Sequence, residues 1–437
     1  MSSHRLSWRR LLAYAAPALP LAMMGLPLGV YLQAFWSGDM GLRLAVVGAV
    51  LTAVRVLDIV VDPAIGRFSD RMRGRWGRRK PFIAAALPIG VMGGVLLFSP
   101  AQGAGAVTLF LGYAGLTLGW SLIALPWQAW GAELSPDYAE RTRIASVRET
   151  GTMLGVLASA VLPTALGLTD PGEALRAIGL LSFALAAPAI AILLWRVPEP
   201  AYPVRPASDA GALAGIRTAL ANRPFRLLIG AWTVNGIANG LPMALFLFLC
   251  SQLLQAPEAV GPILLVYFVA GVAGVPLWAW VARRIGKHRA WCWAMLGSAL
   301  GFLPVLALGA GDVGWFLAIC VVTGLGLGAD LALPPAMQAD VVDLDELTTG
   351  ENRAGLFFAA WAMAQKSGNA LAGFIGLGLL DLAGFQPTGP NGPAQLMALV
   401  LLYCLVPVLL KLVAVALMWR FPIDAASQAA TRKALGR

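Results

Sequence analysis

Charged residues are scarce in this sequence. Only 12% of its 437 residues are Asp, Glu, Lys or Arg, whereas 59% are hydrophobic. A soluble protein of this length could not bury so much apolar surface in one core. The composition therefore excludes an ordinary soluble domain and indicates a polytopic membrane protein.

Cysteine is also rare, with four residues, and none has the paired spacing of a disulfide framework or a metal site. We expect all four to be packing residues inside apolar stretches. They are Cys250, Cys292, Cys320 and Cys404.

Histidine occurs twice, at His4 and His288, and both residues lie outside the predicted spans. A proton crossing this membrane protein would therefore have to be carried by a carboxylate. The sequence also lacks a G-x-x-x-x-G-K-[ST] motif and a nucleophile elbow, so we expect no ATP use, no cofactor and no enzymatic activity. The energy for uphill transport would come from an ion gradient.

Long apolar stretches recur along the whole chain. A bilayer-spanning helix needs about 20 apolar residues, and by that measure the sequence predicts about twelve spans. The predicted spans are 11–36, 43–70, 81–100, 105–133, 144–168, 174–196, 227–254, 260–282, 290–309, 314–342, 355–382 and 394–421. The first is too long for a signal peptide, and we expect it to remain as an uncleaved helix.

The basic residues mark one side of the membrane. The net charge is +10, but the basic residues are confined to alternate loops, which argues against a nucleic-acid partner. By the positive-inside rule these loops and both termini are cytoplasmic, in a bacterial inner membrane. The loop residues are Arg71, Arg73, Arg75, Arg78, Arg79, Lys80, Arg205, Arg217, Arg223, Arg226, Arg283, Arg284, Lys287 and Arg289.

One long polar stretch divides the spans into six and six. The predicted organisation is an N-terminal half (1–197), a cytoplasmic linker (198–226) and a C-terminal half (227–437). The run Ala-Leu-Pro at 124–126 recurs at 332–334, each time at the end of the fourth span of its half. The fold class is therefore an all-α membrane protein with two pseudo-repeated six-helix halves, as in alternating-access transporters.

Two aspartates, Asp58 and Asp62, lie four residues apart within the second span. Four residues make about one helical turn, so both carboxylates project from one helix face and can form a small cation site. The structural alternative is an internal ion pair with Arg55, and both can hold at once.

The second-span segment 62–82, DPAIGRFSDRMRGRWGRRKPF, resembles the signature of the glycoside-pentoside-hexuronide:cation symporters, the melibiose-carrier family of the major facilitator superfamily. Further matching segments follow in order at 125–127 with 140–142 and Arg148, at 339–343, and at 350–353 leading to 366–368. The resemblance runs from the first span to the eleventh and implies the major facilitator fold.

The resemblance implies roles for several residues. It implies that Asp58 and Asp62 bind the coupling cation, as metal ligands if the ion is Na⁺ and as proton carriers if it is H⁺. It implies that Lys366 pairs with the aspartates until the cation displaces it, and that Arg148 lines the sugar path.

The match departs from the family in one respect. Melibiose-type carriers bind sugar hydroxyls with an aspartate in the first helix and another in the fourth, where this sequence has Ala22 and Ala124.

Three further groups remain as candidates. Trp127 and Trp361 are candidate substrate-stacking rings. Asp330, in the tenth span, is equally consistent with a structural and a functional role. A cytoplasmic charge lock between helices is predicted from Asp70, Arg71, Arg78, Arg79, Asp340, Asp343 and Arg353.

The function predicted from these observations is symport of a glycoside or related sugar with Na⁺ or H⁺ by a monomer in the lipid bilayer. The same fold moving an amphipathic molecule such as a lysolipid is an alternative. A membrane sensor or assembly factor that transports nothing is a second alternative, but it explains Asp58, Asp62 and Lys366 poorly.

Overall fold

The structure is a computed structural model and describes residues 6–72, 76–134, 138–199, 219–350 and 354–434. Within these ranges the regular secondary structure is entirely helical. By internal contacts the chain separates into two units, Met1–Ser208 and Asp209–Arg437. The boundary between the two units, at residues 208 and 209, falls inside the predicted linker 198–226. The predicted bounds of the two halves, 1–197 and 227–437, stay a prediction.

The first unit contains six long helical segments. The first of them includes π-helical turns at Pro27–Tyr31 and Phe35–Asp39. The segments are α1 (Trp8–Asp39), α2 (Leu44–Arg71), α3 (Lys80–Phe98), α4 (Ala106–Glu133), α5 (Tyr138–Ala165) and α6 (Pro171–Arg196).

The second unit contains six more long helices and a short one near the C-terminus. They are α7 (Arg223–Leu253), α8 (Val260–Ile285), α9 (Lys287–Phe302), α10 (Val313–Thr349), α11 (Ala354–Leu382), α12 (Pro393–Met418) and α13 (Ala425–Ala434).

The helices begin and end at residues with the expected local chemistry. The Asp170 carboxylate accepts a hydrogen bond from the Glu173 N–H at 2.7 Å and caps α6. Asn222 caps α7 in the same way, through the Phe225 N–H at 3.1 Å. Gly286, with φ +89°, separates α8 from α9 in a conformation that favours glycine.

Ten helices of the described ranges are long and apolar enough to cross a membrane. The predicted fifth and eleventh spans correspond to α5 and α11, with 28 and 29 residues, which are not among those ten. The prediction of an all-α, polytopic membrane protein is confirmed.

Each unit has its own core, built partly on close helix contacts. In the first unit α3 and α4 approach at Gly90, Gly93 and Gly119, where an added Cβ would meet backbone atoms of the facing helix at several points. In the second unit the rings of Phe225 and Phe357 meet edge to face, with centroids 4.7 Å apart. Glycines thus allow close backbone contact between α3 and α4, whereas aromatic rings fill the core of the second unit.

Candidate functional site

The two aspartates of the second span lie on α2, as predicted. Asp58 is 5% exposed and Asp62 is half-buried. Pro63 follows directly within the helix and has no N–H, so the carbonyl of Ile59 lacks its usual helical donor. Two carboxylates and a backbone carbonyl thus share one turn of a membrane helix, and oxygen ligands of this kind suit a small cation.

Arg55 forms the predicted ion pair with Asp58. Its Nη1 lies 3.5 Å from the Asp58 Oδ2, and the guanidinium also lies 5.4 Å from the centroid of the Tyr113 ring on α4. Asp58 therefore has a counter-charge on its own helix.

Arg148 and Trp127 lie together in the first unit. The guanidinium of Arg148 is 6.0 Å from the Trp127 ring centroid, and its Nη2 donates to Glu149 Oε1 at 2.7 Å. Trp127 is only 4% exposed, and its indole N–H donates to the carbonyl of Tyr14 at 2.9 Å. Arg148 is the more accessible of the two predicted substrate residues, and Trp127 supports it from the core.

Ala22 and Ala124 differ in their surroundings. Ala22 is 9% exposed and lies against Gly155 of α5, where an added methyl at Gly155 would come within 2.9 Å of its Cβ. Ala124 is half-buried on α4. Neither side chain can hydrogen-bond a hydroxyl group, because both are methyl groups.

The predicted ring Trp361 stacks on another tryptophan, Trp232, with centroids 4.6 Å apart and an interplanar angle of 17°. Trp291 lies 6.4 Å beyond Trp232. Sequence reasoning missed Trp232 and Trp291, since the chain has 15 tryptophans and spacing alone does not separate them. Lys366 is half-buried on the same helix as Trp361.

Two residues predicted for the cytoplasmic lock, Asp340 and Asp343, are described in the second unit, and Asp340 pairs with Lys287, which was not predicted for it. Lys287 Nζ lies 2.6 Å from Asp340 Oδ2, and Gln428 of α13 donates to the other oxygen of the same carboxylate. Asp343 is half-buried nearby on α10. The side chains of Asp70 and Arg71, and the whole of Arg353, lie outside the described residues.

In the first unit the basic loop is held by Glu199, which sequence reasoning missed. Its carboxylate accepts hydrogen bonds from the backbone N–H groups of Arg78, Arg79 and Lys80 at 2.6, 2.8 and 3.0 Å. This caps the N-terminus of α3 with a negative charge. Arg79 also donates to the Ser69 hydroxyl at 2.6 Å.

The short helix α13 is fixed by a reciprocal cap. Asp424 accepts from the Ser427 N–H at 2.8 Å, and the Ser427 hydroxyl accepts from the Asp424 N–H at 2.9 Å. The Ser427 backbone N–H, followed by its hydroxyl, lowers the pKa of Asp424 below its ordinary value. The cap places Gln428 of α13 against Asp340.

Over the described residues, no group of three or more His, Cys, Asp and Glu side chains could hold a metal ion.

Known proteins resemble this chain over almost its whole length. A glucuronide carrier protein homolog of Escherichia coli is 26% identical, covering 96% of this chain and 94% of the relative. The sodium-dependent lysophosphatidylcholine symporter 1 of Gallus gallus is also 26% identical, covering 99% and 90%. The solved structure of a D-xylose-proton symporter, 14% identical, shares the fold with a TM-score of 0.71 over 95% of this chain and 98% of the other.

The family described as MFS/sugar transport protein matches residues 13–425. The family is one of sugar transport proteins and the sequence relatives are named as a carrier and symporters, which confirms the expectation that this chain is not an enzyme. The fold expected from the signature segments, the major facilitator fold, is confirmed as well. The chain belongs to the MFS/sugar transport protein family, and thus to the glycoside-pentoside-hexuronide:cation symporter branch of the major facilitator superfamily.

Proposed function

We propose that this protein is a cation-coupled symporter that moves a glycoside or related sugar by alternating access, with Na⁺ or H⁺ bound at Asp58 and Asp62. The observation that carries the proposal is the pair of carboxylates one turn apart on a membrane helix, beside the broken hydrogen-bond ladder at Pro63. Buried carboxylates in a membrane are costly unless they have such a role.

The cation neutralises the negative charge of the pair. Arg55 lies 3.5 Å from Asp58, and the bound cation offsets the remaining negative charge of the two carboxylates. A membrane potential contributes about 2.3 kcal/mol per charge per 100 mV to inward movement of the cation. Cation movement is coupled to substrate movement if the cation at Asp58 and Asp62 stabilises the conformation that binds the substrate.

Arg148 is the proposed substrate contact in the first unit, with Trp127 as its support. A guanidinium donates several hydrogen bonds in a fixed plane, which suits hydroxyl or carboxylate oxygens of a sugar. Trp361 is proposed to act in the second unit together with its stacking partner Trp232.

A lysolipid is the second candidate substrate. The favouring observations are the methyl groups at Ala22 and Ala124 and the similarity to a sodium-dependent lysophosphatidylcholine symporter. Counterflow in proteoliposomes decides between the two, using labelled glycosides in one set and labelled lysophosphatidylcholine in the other. Exchange of glycosides supports the proposal. Exchange of lysophosphatidylcholine alone contradicts the sugar assignment, and no exchange of any kind favours the sensor alternative.

Lys366 is proposed as the positive charge that the cation displaces. Lys366→Ala removes a positive charge that is proposed to pair with the carboxylates. The loss of thermal stability should therefore be smaller in an Asp62→Asn background, where one of the carboxylates is already neutral, than in the wild type. We expect a coupling energy of about 1 kcal/mol or more in the double-mutant cycle. Strict additivity with both Asp58→Asn and Asp62→Asn would remove Lys366 from the mechanism.

The cytoplasmic lock is proposed to stabilise one transport state. Lys287 and Asp340 form its described pair, and Asp70, Arg71, Arg78, Arg79, Asp343 and Arg353 are the further residues proposed for it. Such pairs can open and re-form during domain rocking.

The proposed location is the bacterial inner membrane, with both termini cytoplasmic and a monomer as the working unit. We expect reporter fusions after Asp39, Asp170, Glu258 and Asp312 to be periplasmic, because their loops carry few basic residues. Fusions within 200–225 should be cytoplasmic, as measured by paired phosphatase and fluorescent reporters. A periplasmic central linker would contradict the division into six and six spans.

A further inference from the structure

A second set of polar side chains lies inside the apolar interior of the C-terminal unit. Lys411 Nζ donates to Asn235 Oδ1 at 2.9 Å and to Asn239 Oδ1 at 2.8 Å. Asn239 Nδ2 donates to Asp330 Oδ2 at 2.7 Å, and Trp291 Nε1 donates to Asp330 Oδ1 at 2.6 Å. These five residues, from α7, α9, α10 and α12, are called here the buried polar cluster.

The hydrogen bonds of the buried polar cluster assign a donor and an acceptor to each of its contacts. A lysine ammonium and an indole can only donate, so both Asn oxygens and both Asp330 oxygens act as acceptors. The amide oxygen of Asn239 accepts from Lys411, and its N–H donates to Asp330. Both hydrogen bonds polarise the amide in the same direction, so each strengthens the other. Lys411, at 2% exposure, is thus linked to Asp330 through the Asn239 amide.

The buried polar cluster leaves hydrogen-bonding capacity unused. The Asn235 Nδ2, on a residue that is 0% exposed, has no hydrogen-bond partner among the described residues, and neither has the buried Trp232 Nε1. Asp330 accepts two hydrogen bonds, whereas a carboxylate has room for about four. Trp232, Asn235 and Asn239 are spaced i, i+3 and i+7 on α7, so they share one helix face.

Unused donors and an acceptor in one cluster suit a particular ligand chemistry. The Trp232 ring lies 6.4 Å from the Trp291 ring, whose N–H donates to Asp330. A ligand with several hydroxyl groups can donate to Asp330 with one of them and accept from the Trp232 indole N–H with another. Trp232 and Asn239 are only half-buried, which leaves the site approachable from their side. A cluster that only tied helices together would be expected to satisfy its buried donors.

We propose that Asp330, Asn239 and Trp232 form a hydroxyl-recognition site of the C-terminal unit, with Lys411 and Trp291 as positioning residues. The ligand class is a sugar ring or similar polyol, which makes the inference dependent on the proposed function.

The test compares ligand-induced thermal stabilisation of the purified full-length protein in a fixed sodium concentration. The probes are methyl β-D-glucoside, methyl α-D-galactoside, glucuronate and lysophosphatidylcholine. Trp232→Phe removes the indole N–H but keeps a ring for stacking on Trp361. Trp315→Phe is the matched control, because Trp315 is 73% exposed.

We expect at least one of the three sugars to stabilise the wild type and the control equally. Trp232→Phe should need at least about tenfold more sugar for the same shift, since a hydrogen bond to the ligand is lost. Its melting temperature without sugar should hold or rise, because an unpaired buried donor is removed. The charge-neutral pair Lys411→Met with Asp330→Asn should lose the sugar response while keeping the sodium response.

The proposal is overturned if none of the three sugars stabilises the wild type, or if both the Trp232→Phe variant and the charge-neutral pair respond like the wild type. Stabilisation by lysophosphatidylcholine alone overturns it as well. None of these outcomes contradicts cation coupling at Asp58 and Asp62, which gradient-driven uptake tests separately.

Discussion

Asp58→Asn and Asp62→Asn should each abolish concentrative uptake. An amide keeps the size of the carboxyl group but has no net charge, so it loses the Coulomb attraction that holds a cation in a low-dielectric setting. Uptake of labelled substrate against its gradient into vesicles measures the effect, and we expect a fall to the level of vesicles without the protein. Full gradient-driven uptake by either variant would exclude an essential two-carboxylate site.

The structure also predicts a difference between the two variants. Asp58→Asn leaves Arg55 without the partner that lies 3.5 Å away, whereas Asp62→Asn leaves that ion pair in place. Because Arg55 is partly exposed, the loss should be only about 1 kcal/mol, seen as a small fall in melting temperature. Asp62→Asn should not show this loss, because the Arg55–Asp58 pair stays intact. Glu258→Gln, at an exposed carboxylate, is the control for both measurements.

Lys411→Met should cause a large loss of stability. It removes the positive charge that is linked to Asp330 through Asn239 and leaves two Asn oxygens without their donor. Removing one partner of a directly paired buried charge costs about 3 to 5 kcal/mol, which is the upper bound for this bridged pair. We expect a lower melting temperature in detergent and a smaller folded fraction on size-exclusion chromatography.

The paired variant separates charge imbalance from simple loss of packing. Combining Lys411→Met with Asp330→Asn restores neutrality, so the double variant should be markedly more stable than the sum of the single effects predicts. Lys433→Met is the control for Lys411→Met. Lys433 is exposed on α13, so its replacement leaves no buried charge behind and should not change stability. Additive losses in the double variant would show that Lys411 and Asp330 are not energetically linked.

The cation side of the site was predictable from sequence because its geometry is local. Asp58 and Asp62 share a helix face by spacing alone, and Arg55 lies within reach of Asp58 on the same helix. The helices themselves follow from apolar length, and their ends follow from residues such as Gly286 and Asp170.

The polar cluster of the C-terminal unit could not be assembled from sequence in the same way. Lys411 is separated from its two asparagine partners by 176 and 172 residues, so no local spacing connects them. A lone lysine in the twelfth apolar span was nevertheless a usable signal, since intramembrane charges are costly. Glu199 is a similar case, because the N–H groups that it caps lie 119 to 121 residues earlier.

Trp127 shows a different limit. Its position on the fourth span suggested a substrate-facing ring, but the side chain is 4% exposed and its N–H is bonded to the Tyr14 carbonyl. Periodicity identifies a helix face but does not say whether that face meets a neighbouring helix or a cavity. Packing of α4 against α1 decides this, and it depends on the tertiary fold.

The most direct test of the central claim is substrate-driven cation entry. Proteoliposomes are prepared with no ion gradient and no membrane potential, and a glycoside that exchanges in counterflow is added outside. We expect the glycoside gradient alone to draw radioactive sodium inward, or to acidify the interior if the ion is H⁺, and we expect Asp62→Asn to abolish this ion flux. Glycoside entry without any movement of sodium or protons would contradict it.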